Sequence, residues 1–153
     1  MAKVGRASRN SSLMRVETIT GATKSIAAAE SGELYIVRAT SGCAITLPPV
    51  KEGAYLKFLI GDDTSTGGDI TIQGNSTAHY IAGYVGVLKV GADGGSVGVV
   101  AGQAYAGTGD TLTITDGNGI KEGSWLEFVS DGTQWFVNGL VIGANNAVAV
   151  GIA

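Results

Sequence analysis

The chain has 153 residues and a formal net charge of −3; 44% of its residues are apolar and only 15% charged. That length makes one domain with one substantial core, and no run approaches the roughly 18 uninterrupted apolar residues of a membrane-crossing helix. The N-terminus has no apolar core of signal-peptide type, and a lone cysteine, Cys43, excludes an internal disulfide and reads as a small buried hydrophobe.

Residues 1–16 hold Lys3, Arg6, Arg9 and Arg15 with no acid, interspersed with Gly5, Ser8, Asn10, Ser11 and Ser12. A segment this polar builds no core of its own and reads as an extended arm, with Leu13, Met14 and Val16 as its apolar contacts. The remainder, 17–153, has six basic and thirteen acidic residues, a net of −7. A basic arm on an acidic body fits an anionic protein surface or a neighbouring subunit. Nucleic acid fits less well, because the body is repelled by phosphate and the arm interleaves no aromatics. The plain alternative is a solvated tail.

Past the arm, 25 glycines punctuate short β-branched runs, the pattern of an all-β sandwich, jelly-roll-like or related, or of a barrel. Ile26–Glu30 has room for one helical turn before Gly32. Strands are predicted over 33–39, 43–47, 54–60, 69–73, 84–90, 96–101, 111–115, 124–130 and 134–138. Hairpin signals stand at Ser130-Asp131-Gly132-Thr133 and at 115–119, where Gly and Asn tolerate positive φ.

One phrase occurs twice. Val50-Lys51-Glu52-Gly53-Ala54-Tyr55-Leu56-Lys57-Phe58-Leu59-Ile60 returns 70 residues later as Ile120-Lys121-Glu122-Gly123-Ser124-Trp125-Leu126-Glu127-Phe128-Val129-Ser130, with five of eleven positions identical. Each copy reads as a Lys-Glu-Gly corner feeding a strand. Leu56, Phe58 and Ile60 share one face, repeated by Leu126 and Phe128, while Lys57 and Glu127 point to a wetted face. Two copies are too few for a solenoid, so the units are expected to pack face to face in one domain. Tyr55 and Trp125, equivalent in the two copies, read as packing at a sheet edge or subunit contact, with sugar stacking as the other possibility.

Catalytic patterns are thin, and no enzyme is expected. His79 is the only histidine. Gly94-Gly95-Ser96-Val97-Gly98 matches the nucleophile elbow by letter, but strand residues follow where a helix is needed. One histidine and one cysteine do not make a tetrahedral zinc site in a single chain. Asp62, Asp63 and Asp69 lie in a Gly/Thr-rich loop that misses the helix-flanked calcium spacing and reads as a solvated turn. No cofactor is implied. The tail, 140–153, is uncharged; Val148, Val150 and Ile152 share one face of an extended strand. It is expected to be buried in its own sheet or against a partner, as an oligomer contact.

The Ser/Arg arm followed by Leu13-Met14-Arg15-Val16-Glu17-Thr18-Ile19 resembles the entry to the β domain of decoration (cement) proteins on tailed-phage heads. Ala44-Ile45-Thr46-Leu47-Pro48-Pro49, Glu52-Gly53-Ala54-Tyr55-Leu56-Lys57-Phe58 and Asp131-Gly132-Thr133-Gln134-Trp135-Phe136-Val137 are similar to phrases of small phage structural β domains, fibre modules included. The resemblance implies a homotrimer on the outer capsid surface, made in the host cytoplasm. Its arm residues Lys3, Arg6, Arg9, Leu13, Met14, Arg15 and Val16 would reach across the major capsid protein lattice. It implies no catalytic residue, no nucleic acid and no membrane. A tail-fibre or receptor-binding module with exposed aromatics around Tyr80 and Tyr84 is the alternative.

Overall fold

A computed structural model describes residues 15–61, 68–90, 97–105, 109–115, 119–143 and 149–153. The strands are β1 (Val16–Ile19), β2 (Thr23–Ser25), β3 (Leu34–Val37), β4 (Cys43–Thr46), β5 (Tyr55–Ile60), β6 (Ile70–Gln73), β7 (Ile81–Val90), β8 (Val97–Tyr105), β9 (Thr111–Thr115), β10 (Trp125–Ser130), β11 (Trp135–Gly143) and β12 (Ala149–Ile152). The expected helical turn is a single 3-10 turn, Ala28–Glu30, held where Glu30 Oε2 accepts the Ala27 backbone N–H at 2.9 Å.

The strands form a seven-stranded sheet, β1-β3-β5-β10-β11-β7-β8, and a five-stranded sheet, β12-β9-β6-β4-β2. Period-2 alternation puts Tyr35, Leu56, Phe58, Leu126, Phe128, Trp135 and Val137 of the first sheet into one core with Cys43, Ile45, Ile70, Ile72, Leu112 and Ile114 of the second. The chain is thus an all-β sandwich. Phe58 anchors it, stacked on Tyr35 at 5.4 Å and edge-on to Phe128 at 5.7 Å.

The wiring differs from the antiparallel connections of a jelly roll. From β1 to β6 the chain alternates between the sheets, and each strand runs parallel to the one two steps earlier. Parallel neighbours need a long crossover, and here a strand of the opposite sheet supplies it. Strands β1 to β6 therefore stack as three flattened coils, a solenoid-like arrangement. From β9 onward the pairing is mainly antiparallel: β9 lies between β6 and β12, and β10 between β5 and β11.

The repeated phrase does not pack face to face. Its strands, β5 and β10, are antiparallel neighbours in one sheet, and Lys57 pairs with Glu127, its own equivalent. A local two-fold axis runs through that pair. Gly53 N–H donates to the Ser130 carbonyl and Gly123 N–H to the Ile60 carbonyl, both at 2.9 Å. Both corner glycines take left-handed φ, 76° and 87°, which a side chain would strain. Edge pairing wins because both phrases bury the same face into the same core.

Three further expectations can be compared with the structure. Residues 116–118 of the expected 115–119 hairpin lie outside the described residues, and the strands that flank them, β9 and β10, belong to different sheets. The hairpin at 130–133 is real: Gly132 has φ 93°, and Asp131 Oδ1 accepts the Thr133 and Gln134 backbone N–H groups at 2.8 and 3.0 Å. In the tail, β12 pairs with β9; Val150 is buried in the core and Ile152 packs against it. Those two side chains serve this chain's own core rather than a subunit contact; Val148 lies outside the described residues.

Candidate functional site

The outer face of the seven-stranded sheet is where the chain offers chemistry to something else. Register places its outward side chains in three cross-strand rows. The first runs Thr18, Ile36, Leu59, Trp125, Leu140, Gly86 across β1, β3, β5, β10, β11 and β7. The second runs Val16, Leu34, Lys57, Glu127, Asn138, Tyr84, and the third Tyr55, Val129, Phe136, Ala82. Among the described residues, the exposed large apolar side chains are Val16, Tyr80, Tyr84, Val129 and Phe136, between 39% and 55% accessible. All belong to this face, Tyr80 at its margin one residue before β7. Scattered exposed apolar residues need no explanation, but a contiguous patch marks an interaction surface.

Of the side chains in these three rows, two are charged, Lys57 and Glu127, and they neutralise each other; exposed Arg38, one residue past β3, lies beside Gly61 and Ile36 at the rim of the same face. Lys57 Nζ donates to Glu127 Oε1 at 2.8 Å and sits 5.5 Å from the Trp125 ring centroid. That hydrogen bond holds the Lys57 ammonium above its ordinary pKa and the Glu127 carboxyl below the usual carboxylate range. Desolvation, with the Glu127 carboxylate beside it, pushes the Tyr55 phenol up. The pair is a neutral, ordered centre in an aromatic frame.

A second polar cluster closes one end of the sandwich. Lys24 Nζ, reaching inward from β2, donates to both Glu17 oxygens at 2.8 and 2.9 Å. The Tyr35 hydroxyl donates toward Glu30 and Glu33 at 3.2 and 3.3 Å, and Arg15 pairs with Glu33 at 3.0 Å. Burial first, then Glu30 and Glu33, push the Tyr35 phenol far up. The buried Tyr35 hydroxyl and Glu33 carboxylate are thereby satisfied, as buried polar groups require, while Arg15 and Glu17 reach the cluster from the surface and cap the core.

The other candidates are quickly placed. His79 Nδ1 is hydrogen-bonded to Asn75 Oδ1 within the turn before β7, and its backbone N–H meets the Ser76 carbonyl at 2.9 Å. Asp62, Asp63 and Ser96 lie outside the described residues; Asp69 uses its carbonyl to accept the Cys43 N–H at 3.1 Å. Cys43 is buried, and desolvation raises its pKa. No cluster of three metal-ligating side chains, and no helix long and apolar enough to cross a membrane, occurs among the described residues. A half-open depression beside Pro48, Pro49 and Glu52 holds about 230 Å³, under the roughly 300–1,000 Å³ of small-molecule sites.

Of the arm, Lys3, Arg6, Arg9, Leu13 and Met14 lie outside the described residues. Arg15 and Val16 do not continue an arm: the Arg15 carbonyl accepts the Leu34 N–H at 2.8 Å, and Val16 opens edge strand β1. Parallel pairing with β3 draws them into the body. No protein-family model matches the chain, and no curated protein resembles it significantly. The residues must therefore carry the functional argument alone.

The outer face went unread in the sequence because Lys57 and Glu127 marked it as wetted. A signal was present. Leu34-Tyr35-Ile36-Val37 and Trp135-Phe136-Val137 are apolar at both parities, the pattern of strands covered on two sides.

Proposed function

We propose that this chain is a virion structural protein, a decoration (cement) protein that binds the outside of a tailed-phage capsid. On this reading it is a homotrimer that bridges neighbouring shell subunits through the basic N-terminal segment. The observation that carries it is the outer face of the seven-stranded sheet, a broad apolar surface on a stiff sandwich, suited to protein contact. The sequence resemblance supports the phage head as the setting, and the split between a basic arm and an acidic body supports an anionic shell surface as the arm's target.

Anchoring by charge alone is insufficient. Ordering a flexible arm costs about 1–2 kcal/mol per residue in backbone entropy, against at most about 1 kcal/mol for each exposed ion pair. Main-chain pairing has to contribute, as in strand-addition recognition. The edge strands β1 and β2 offer such pairing to a neighbour, and the arm offers it to the shell.

The test is co-sedimentation with empty tailed-phage heads and with free shell protein. Binding to heads alone, lost when residues 1–14 are removed, is the expected result. Equal decoration by the shortened chain removes the arm from the mechanism. The exposed Tyr80 and Tyr84, 39% and 48% accessible, favour the receptor-binding module as a second reading. Binding to host-surface glycan in place of heads would select it.

A further inference from the structure

We propose that the outer face of the seven-stranded sheet is the surface through which copies of this chain meet, with Lys57 of each copy set against Glu127 of the next. This goes beyond the capsid reading and does not depend on it, because association is measured without heads.

Size comes first. The six strands whose outward side chains are described, about 4.8 Å apart, make the face roughly 29 Å wide. With rows spread over roughly 15–20 Å of strand, its area is on the order of 500 Å². That reaches the roughly 300–600 Å² of the largest patch on ordinary monomers, where such patches are often functional. It falls short of the roughly 800 Å² that each partner gives to a standard stable interface. The face therefore supports association that depends on concentration, and a strand edge has to add to it.

Charge selects the occupant. Residues 17–153 carry a net −7, so two copies repel unless they meet where no net charge lies. The three central rows satisfy that condition, since Lys57 and Glu127 cancel, and the charge nearest to them at the rim is the Arg38 cation, which an acidic neighbour does not repel. An oppositely charged partner would be met by a charged surface instead. The pair is also self-complementary. Lys57 on β5 and Glu127 on β10 are direct neighbours across the local two-fold axis. For a symmetry axis lying along these strands, two-fold or three-fold, the β5 side of one face meets the β10 side of the next. Each ammonium then finds a neighbour's carboxylate as well as its own, and like charges stay apart. Trp125, Val129, Phe136 and Tyr55 around the pair exclude water, as interface centres rich in aromatics do.

Sedimentation velocity on the full chain, from about 1 to 100 μM, tests this across the range where a weak interface fills. The unmodified protein is expected to be oligomeric at the upper end. Val129→Glu with Phe136→Glu, both at exposed positions, should weaken association by at least roughly ten-fold while the circular dichroism spectrum stays unchanged. Thr71→Glu with Thr113→Glu, on the other sheet's outer face, should leave it as it was. Lys57→Glu alone should weaken association, and Lys57→Glu with Glu127→Lys should restore it, because the exchange preserves complementarity. A monomer at the top concentration overturns the proposal, as does a Val129→Glu/Phe136→Glu protein that assembles like the unmodified one. A monomer that still decorates heads, and loses them when this face is charged, overturns it too and assigns the face to the shell protein. A dimer in place of a trimer supports the interface and contradicts the trimeric decoration reading.

Discussion

The two sheets share one core and show opposite outer faces. On the five-stranded sheet the outward rows are Thr23, Ala44, Thr71, Thr113, Gly151 and Ser25, Thr46, Gln73, Thr111, joined at one point by Gln73 Nε2 donating to Thr46 Oγ1 at 3.2 Å. On the seven-stranded sheet the same parity gives Ile36, Leu59, Trp125, Leu140 and Tyr55, Val129, Phe136. Threonine has the β-branched shape a strand favours and keeps a hydroxyl for water. Its dominance on one face, against Thr18 alone in the rows of the other, separates what the fold requires from what an interaction requires. A strand needs only a β-compatible side chain outside; it does not need Trp125 or Phe136 there.

The largest expected effect lies in the core that both faces depend on. Phe128→Ala should cost about 3–5 kcal/mol in denaturant unfolding, and Phe58→Ala much the same, because the two rings are equivalents across the local axis. A large difference between the two would break the symmetry of the account. Next come the corners. Gly53→Ala and Gly123→Ala should each cost about 1–2 kcal/mol, purely from left-handed backbone, since nothing lies within 4 Å of the added methyl at either position.

pH separates the end cluster from the ion pair on the outer face. Tyr35 and Lys24, inside the end cluster, have folded-state pKa values raised above the ordinary 10.0 and 10.5. The folded chain then holds protons that the unfolded chain releases, so stability is full below about pH 10 and falls as pH climbs toward the raised values. Tyr35→Phe should flatten part of that alkaline limb in melting curves. Glu127 has the opposite sign. Its lowered pKa gives stability that is present above the ordinary 4.5 and lost as pH falls through the folded value. Lys57→Met should weaken that acid limb, by no more than about 1 kcal/mol for a pair at the surface. The smallest effect belongs to the threonine face: Thr113→Val should change stability by less than about 0.5 kcal/mol. A loss of several times that would show that this face, too, is under a packing constraint.

Local signals reached far into this fold. Each of the nine predicted strand segments overlaps a strand, and the Gly53 and Gly123 corners and the Asp131-Gly132 turn are where residue chemistry puts them. What stayed hidden is non-local. β1 and β2 are Val-Glu-Thr-Ile and Thr-Lys-Ser, too short and polar to announce themselves, and they are strands because β3 and β4 offer parallel edges. The repeat revealed two like units, but its neighbour relation is set by pairing across the sheet. The tail's apolar face was legible; that its own β9 takes it up was not. On the outer face, two charged residues outweighed in reading the apolar ones around them, although in space they cancel.

Thiol accessibility tests the contrast between the faces most directly. Cys43 is buried with a raised pKa and gives a silent background. Val129→Cys and Gln73→Cys place single thiols on the two outer faces, at positions exposed in the isolated chain. In the assembled protein the account predicts alkylation at 129 slower than at 73 by roughly ten-fold or more, with the difference vanishing on dilution to monomer. Equal rates at the two positions in the assembled protein would contradict it.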